Sequence, residues 1–107
     1  MFKAVVTVSA FIVLVGCSDP EDKIYESFKC AKAATYMGED DLANIAMNKS
    51  EPYAKDVDFG GSPAKFFMEL GQRFQDDYPL YKYNTKGQVE IIKDLYESDD
   101  CQDLYKP

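Results

Sequence analysis

The chain has 107 residues, with 12 Lys and Arg against 19 Asp and Glu, no His, no Trp and three Cys, and that length leaves room for one domain without a separate regulatory module. A formal charge of −7 argues against a nucleic-acid partner, because phosphate binding draws on clustered Lys and Arg. With 46% hydrophobic and 14% aromatic residues, the chain is too apolar for generic disorder and is expected to fold.

The N-terminus reads as an address. Met1-Phe2-Lys3 is a short positive segment, and Ala4 to Val15 is an apolar run broken only by Thr7 and Ser9, the pattern of a secretory signal. A 12-residue helix would span roughly 18 Å, short of the roughly 30 Å of bilayer hydrocarbon, so a spanning helix is disfavoured. Directly after the run stands Leu14-Val15-Gly16-Cys17, which resembles the lipobox of bacterial lipoproteins. The resemblance implies a diacylglyceryl group on the Cys17 thiol, cleavage before Cys17 and acylation of the freed amine. Residues 1–16 are then a signal peptide, and residues 17–107 a mature domain tethered to the membrane through Cys17. Two or three acyl chains anchor firmly where one holds only marginally. Ser18, rather than Asp, at the second mature position points to the periplasmic face of the outer membrane, although Asp19 at the third leaves the choice of membrane open.

Removing residues 1–16 takes one Lys and no acid, leaving 91 residues with 11 bases, 19 acids and a net charge of −8. A domain of that size is often helped by a covalent staple. With Cys17 lipidated, Cys30 and Cys101 are the even pair that an oxidising compartment turns into a disulfide. Neither a C-x-x-C motif nor a His is present to suggest redox or metal use instead.

In chain order, Asp19-Pro20-Glu21-Asp22 predicts a helix start near Pro20, with Asp19 as cap. Ile24, Phe28, Ala31, Ala34 and Thr35 form its apolar face, and Gly38 its stop. A second helix is expected over Asp40 to Asn48, on Leu42, Ile45, Ala46 and Met47. Lys49 to Gly61 reads as a loop, from which Tyr53, Val57 and Phe59 could reach the core. Ser62-Pro63 restarts a helix with a stripe of Phe66, Phe67, Leu70 and Phe74, running to Tyr78-Pro79. Leu80 to Tyr83 reads as extended or irregular. Thr85-x-x-Gln88 matches a capping box, followed by Val89, Ile92, Leu95 and Tyr96 at helical spacing, so a helix is expected over Lys86 to Ser98. The competing reading pairs Leu80–Asn84 with Gln88–Ile92 as a hairpin. Cys101 to Tyr105 adds a final turn under the disulfide. The expected fold class is all-α, a small bundle of about four amphipathic helices with one disulfide.

The absence of His removes the commonest general base and the Ser-His-Asp triad, and no G-x-S-x-G, P-loop or H-E-x-x-H occurs. No catalytic residue, cofactor or metal site is therefore expected. Asp56-Val-Asp-Phe-Gly-Gly has the alternating acids of a calcium loop, but the last ligand position falls on Phe67 where a Glu is needed. Eight tyrosines carry the stronger signal, since Tyr suits surfaces that are partly apolar and partly wet. Tyr81 and Tyr83, with Tyr53 and Arg73, form a candidate partner-binding patch, set against a plainer role in covering the bundle. The function expected is a non-enzymatic binding or structural lipoprotein of the cell envelope that contacts another envelope protein, with an inhibitor or immunity factor against a toxin as one form of it. The alternative is a carrier of a small apolar ligand, on Phe66, Phe67, Met68 and Phe74.

Overall fold

The computed structural model describes residues 19–57 and 59–107; the expected signal peptide over residues 1–16, the expected lipidation site Cys17, Ser18 and Asp58 lie outside them. Helix α1 (Pro20–Tyr36) opens on proline with Glu21 and Asp22 in its first turn, where both carboxylates meet the positive end of the helix dipole. Asp19 holds the cap position, but its side chain accepts no hydrogen bond. The helix stops where the sequence supplies a residue free to turn left-handed. Gly38 has φ 78°. Its N–H donates to the Thr35 carbonyl at 3.0 Å, and the Glu39 N–H donates to the Ala34 carbonyl at 2.8 Å, a Schellman closure.

The remaining elements are α2 (Asp40–Asn48), α3 (Glu51–Ala54), α4 (Pro63–Asp77), a 3₁₀ turn (Leu80–Lys82), α5 (Thr85–Glu97) and α6 (Asp99–Leu104). Among the described residues there is no strand, and the all-α bundle with one disulfide is the observed fold. Helix α1 packs against every other helix and α2 covers most of it, so its buried surface is wider than one stripe. Ile24, Ala31 and Ala34 are buried as expected, but so are Tyr25, Ser27, Cys30 and Ala33, while Thr35 is exposed. The small side chains of residues 30, 31, 33 and 34 let neighbouring backbones approach from several sides at once.

Two expectations are corrected. The segment 49–61 is not wholly loop: Ser50 leads into the single turn of α3, with Pro52 where its missing N–H costs nothing. Tyr53 stays out at 37% exposure, whereas Val57 is buried and Phe59 meets Phe66 edge-on, with centroids 5.0 Å apart. The capping box at Thr85 and Gln88 also fails by one residue. Asn84 is the cap, its Oδ1 accepting from the Gly87 N–H at 2.9 Å, and Gln88 instead donates to the carbonyls of Leu80 and Tyr83, both at 3.0 Å. The hairpin reading of 80–92 falls with it, because Asn84 commits Thr85 onward to helix.

Helix α4 is capped by Ser62, which accepts from the Lys65 N–H at 3.3 Å, and it buries Phe66, Leu70 and Phe74. Cys30 in α1 and Cys101 in α6 are bonded, with their Cα atoms 5.2 Å apart. Beside the bond, Tyr105 Oη donates to the Cys30 carbonyl at 2.5 Å. At the same end, Lys49 Nζ donates to the carbonyls of Leu104 at 3.2 Å and Lys106 at 2.6 Å, so a cation closes the negative end of α6.

Burial, then the neighbouring Tyr96 phenol, pushes the Tyr105 hydroxyl up to about 12. Burial, then the hydrogen bond to Asp77, raises that of Tyr25 as well. A tyrosine in the unfolded chain ionises near ~10, so this stabilisation is complete below ~10 and is lost as the pH rises through the folded values. Urea midpoints should therefore hold up to pH ~10 and fall above it. In Tyr105→Phe that alkaline fall should be smaller.

Candidate functional site

Two surface regions gather three of the four side chains singled out in the sequence, Tyr53, Arg73 and Tyr81. The first is a cleft of about 620 Å³ whose lining includes Asp22, Glu26, Lys49, Tyr53, Arg73 and Asp103. Arg73 is occupied in holding the fold there. Its guanidinium stands 4.0 Å from the Tyr25 ring centroid and donates to Asp22 Oδ1 at 3.0 Å, while Tyr25 Oη donates to Asp77 Oδ2 at 2.6 Å. These contacts fasten α4 to α1, and their charges of both signs leave the cleft without a single electrostatic character.

The second region centres on Tyr36, in the last turn of α1 and 60% exposed. Three grooves meet at this one ring. The largest, about 520 Å³, is lined by Phe28, Ala31, Lys32, Thr35, Met47 and Phe67 as well as Tyr36. The second, about 270 Å³, runs past Lys32, Phe74, Tyr78, Leu80 and Tyr81. The third, about 130 Å³, includes Met37, Val89 and Ile92. Tyr36, Met37, Phe67, Tyr81 and Val89 are all exposed large apolar side chains, so the C-terminal end of α1 carries an uncovered apolar surface extending over α4, the 3₁₀ turn and α5. Uncovered surfaces of this kind mark interaction sites in small soluble domains.

The candidate residues therefore divide. Tyr53 and Arg73 share the mixed-charge cleft, Tyr81 belongs to the Tyr36 surface, and Tyr83, half exposed, lines neither. The stripe behind the carrier reading divides as well: Phe66 and Phe74 are core, whereas Phe67 is 42% and Met68 76% exposed. Sequence reasoning missed this surface: Val89 reads as core because it falls at helical spacing, and Tyr36 and Met37 lie outside the apolar face expected for α1; the one local sign was that both sit against the Gly38 stop, where the packing face of α1 runs out.

Among the described residues no group of three or more His, Cys, Asp or Glu side chains converges, and no helix is long and apolar enough to cross a membrane. Neither a known protein family, nor a curated protein, nor a solved structure matches the chain.

Proposed function

We propose that the chain is a lipid-anchored protein of the cell envelope, held through Cys17 at the periplasmic face of the outer membrane, that acts by binding another envelope protein through the apolar surface around Tyr36. The exposed aromatic surface is the observation that carries the binding reading. The lipobox Leu14-Val15-Gly16-Cys17 carries the anchor. Two residues, Ser18 and Asp19, separate Cys17 from the first helical residue, Pro20, so the lipid attaches within about 11 Å of the start of α1. The Tyr36 surface lies at the other end of that 17-residue helix, about 25 Å away. A docking face at that end of α1 is set apart from the lipid attachment and open to a protein.

The anchor is tested by intact mass from the native host, where the mature protein should begin at Cys17 and carry acyl chains, and Cys17→Ser should move it to the soluble envelope fraction. An unmodified Cys17 would refute the anchor. The surface is tested by changing Tyr36→Ser and Tyr81→Ser together. Both side chains are mostly exposed, so the melting temperature should move by no more than about 4 °C while crosslinking to the envelope partner is lost. A collapse of the melting temperature would mark both rings as structural cover.

A further inference from the structure

The two larger grooves beside Tyr36 share one charged lining residue, Lys32, and neither has another. This inverts the sign of the molecule, which carries a net −8 in its mature part. The Lys32 ammonium stands 5.8 Å from the centroid of Phe28 and 5.9 Å from that of Phe74, aromatic faces that favour a cation. Among the described residues its side chain makes no ion pair and no hydrogen bond. An occupant that fills the grooves with apolar side chains strips water from that ammonium, and a buried charge without a partner is costly.

On the reading of this surface as a protein-docking face, we infer that its occupant is an amphipathic segment of another protein that lays apolar side chains on either side of Tyr36 and brings an Asp or Glu carboxylate to Lys32. The groove geometry favours a protein segment over a small amphiphile. Sites for small ligands enclose most of the ligand surface, whereas these grooves lie open, side by side on one face, as helix-in-groove recognition requires. The carboxylate also supplies selectivity, because a segment with Lys or Arg at that place would meet a like charge in a dry site.

The test uses the full-length protein in its native host, with the photoreactive residue p-benzoylphenylalanine at Phe67 in one strain and at Tyr81 in another. The adducted peptide is sequenced by mass spectrometry. The expected result is a protein adduct at Phe67 whose partner segment carries Asp or Glu within one helical turn of the crosslinked residue. Its yield should fall about tenfold or more in Lys32→Glu and less in Lys32→Gln. Lys32→Arg should retain it, and exchanging the partner's acid for Lys should restore it to Lys32→Glu. Lys32 is only half-buried at the surface, so the purified Lys32→Glu and Lys32→Gln domains should melt as the unaltered one does; if the Glu variant does not, the Gln variant decides. A protein adduct that is undiminished in both variants, or a partner segment without an acid near the crosslink, overturns the inference and leaves the docking reading standing. A protein adduct at Tyr81 with none at Phe67 does the same. Adducts only to fatty acid, lipid or a second copy of the chain, or none at either position, overturn both.

Discussion

Replacing Cys30 and Cys101 together by Ser should lower the unfolding free energy by about 4 kcal/mol, the chain-entropy value for a loop of about 70 residues. The bond spans 71 residues of sequence and joins the central helix to the last one, so its loss frees most of the unfolded chain from its ring. In the folded protein the cost falls on α6. That helix has only six residues, Asp99–Leu104, too few to persist without tertiary support. Without the bond it is held by the Ser98 cap, by Tyr105 against the Cys30 carbonyl and by Lys49 at its end. Urea denaturation of the double variant measures the effect, and reducing agent added to the unaltered protein should reproduce it. Hydrogen exchange should show α6 opening first. A loss below about 1 kcal/mol would mean that these polar contacts alone suffice to hold the helix.

Phe74→Ala should cost about 3–5 kcal/mol, the range for deleting a buried phenyl ring. Phe74 is 3% exposed; its ring meets Phe28 edge-on with centroids 6.5 Å apart and lies tilted against Tyr78 at 5.2 Å. It is also one of the two rings under the Lys32 ammonium. Among the described residues α1 is the helix that α4 packs against most, and lightly, so removing this ring leaves the Arg73, Tyr25 and Asp77 contacts to hold that docking with Leu70 and Phe66. Amide exchange in Pro63–Asp77 should accelerate more than in α1 or α2. Uniform acceleration throughout the chain would show instead that α4 unfolds only with the rest.

The boundaries that were legible in the sequence are those set by residues with special backbones. Pro20 and Gly38 bracket α1, and Ser62-Pro63 and Pro79 bracket α4, because proline and glycine act through their own geometry whatever surrounds them. Asn84 was masked by Thr85, three residues before Gln88: both are credible caps, and only the hydrogen bond to Gly87 distinguishes them. The four-residue α3 has too short a period to read. Tyr25, Ser27, Cys30 and Ala33 escaped because a single amphipathic face presumes a helix with one neighbour, and α1 has five. The disulfide was legible by parity once Cys17 was set aside. The Tyr36 surface was not, since whether an apolar residue is core or rim is decided by where the next helix lands.

That α1 both leads the described chain and serves as the packing surface for every later helix gives assembly a direction. During synthesis its whole length is present before any partner exists, and α2, the neighbour that covers most of it, arrives next after a three-residue turn. The α1–α2 hairpin can therefore form as soon as these two helices are free to fold, so later helices dock on a prepared template. Cys30 has to wait for the last helix to arrive before Cys101 can close the ring.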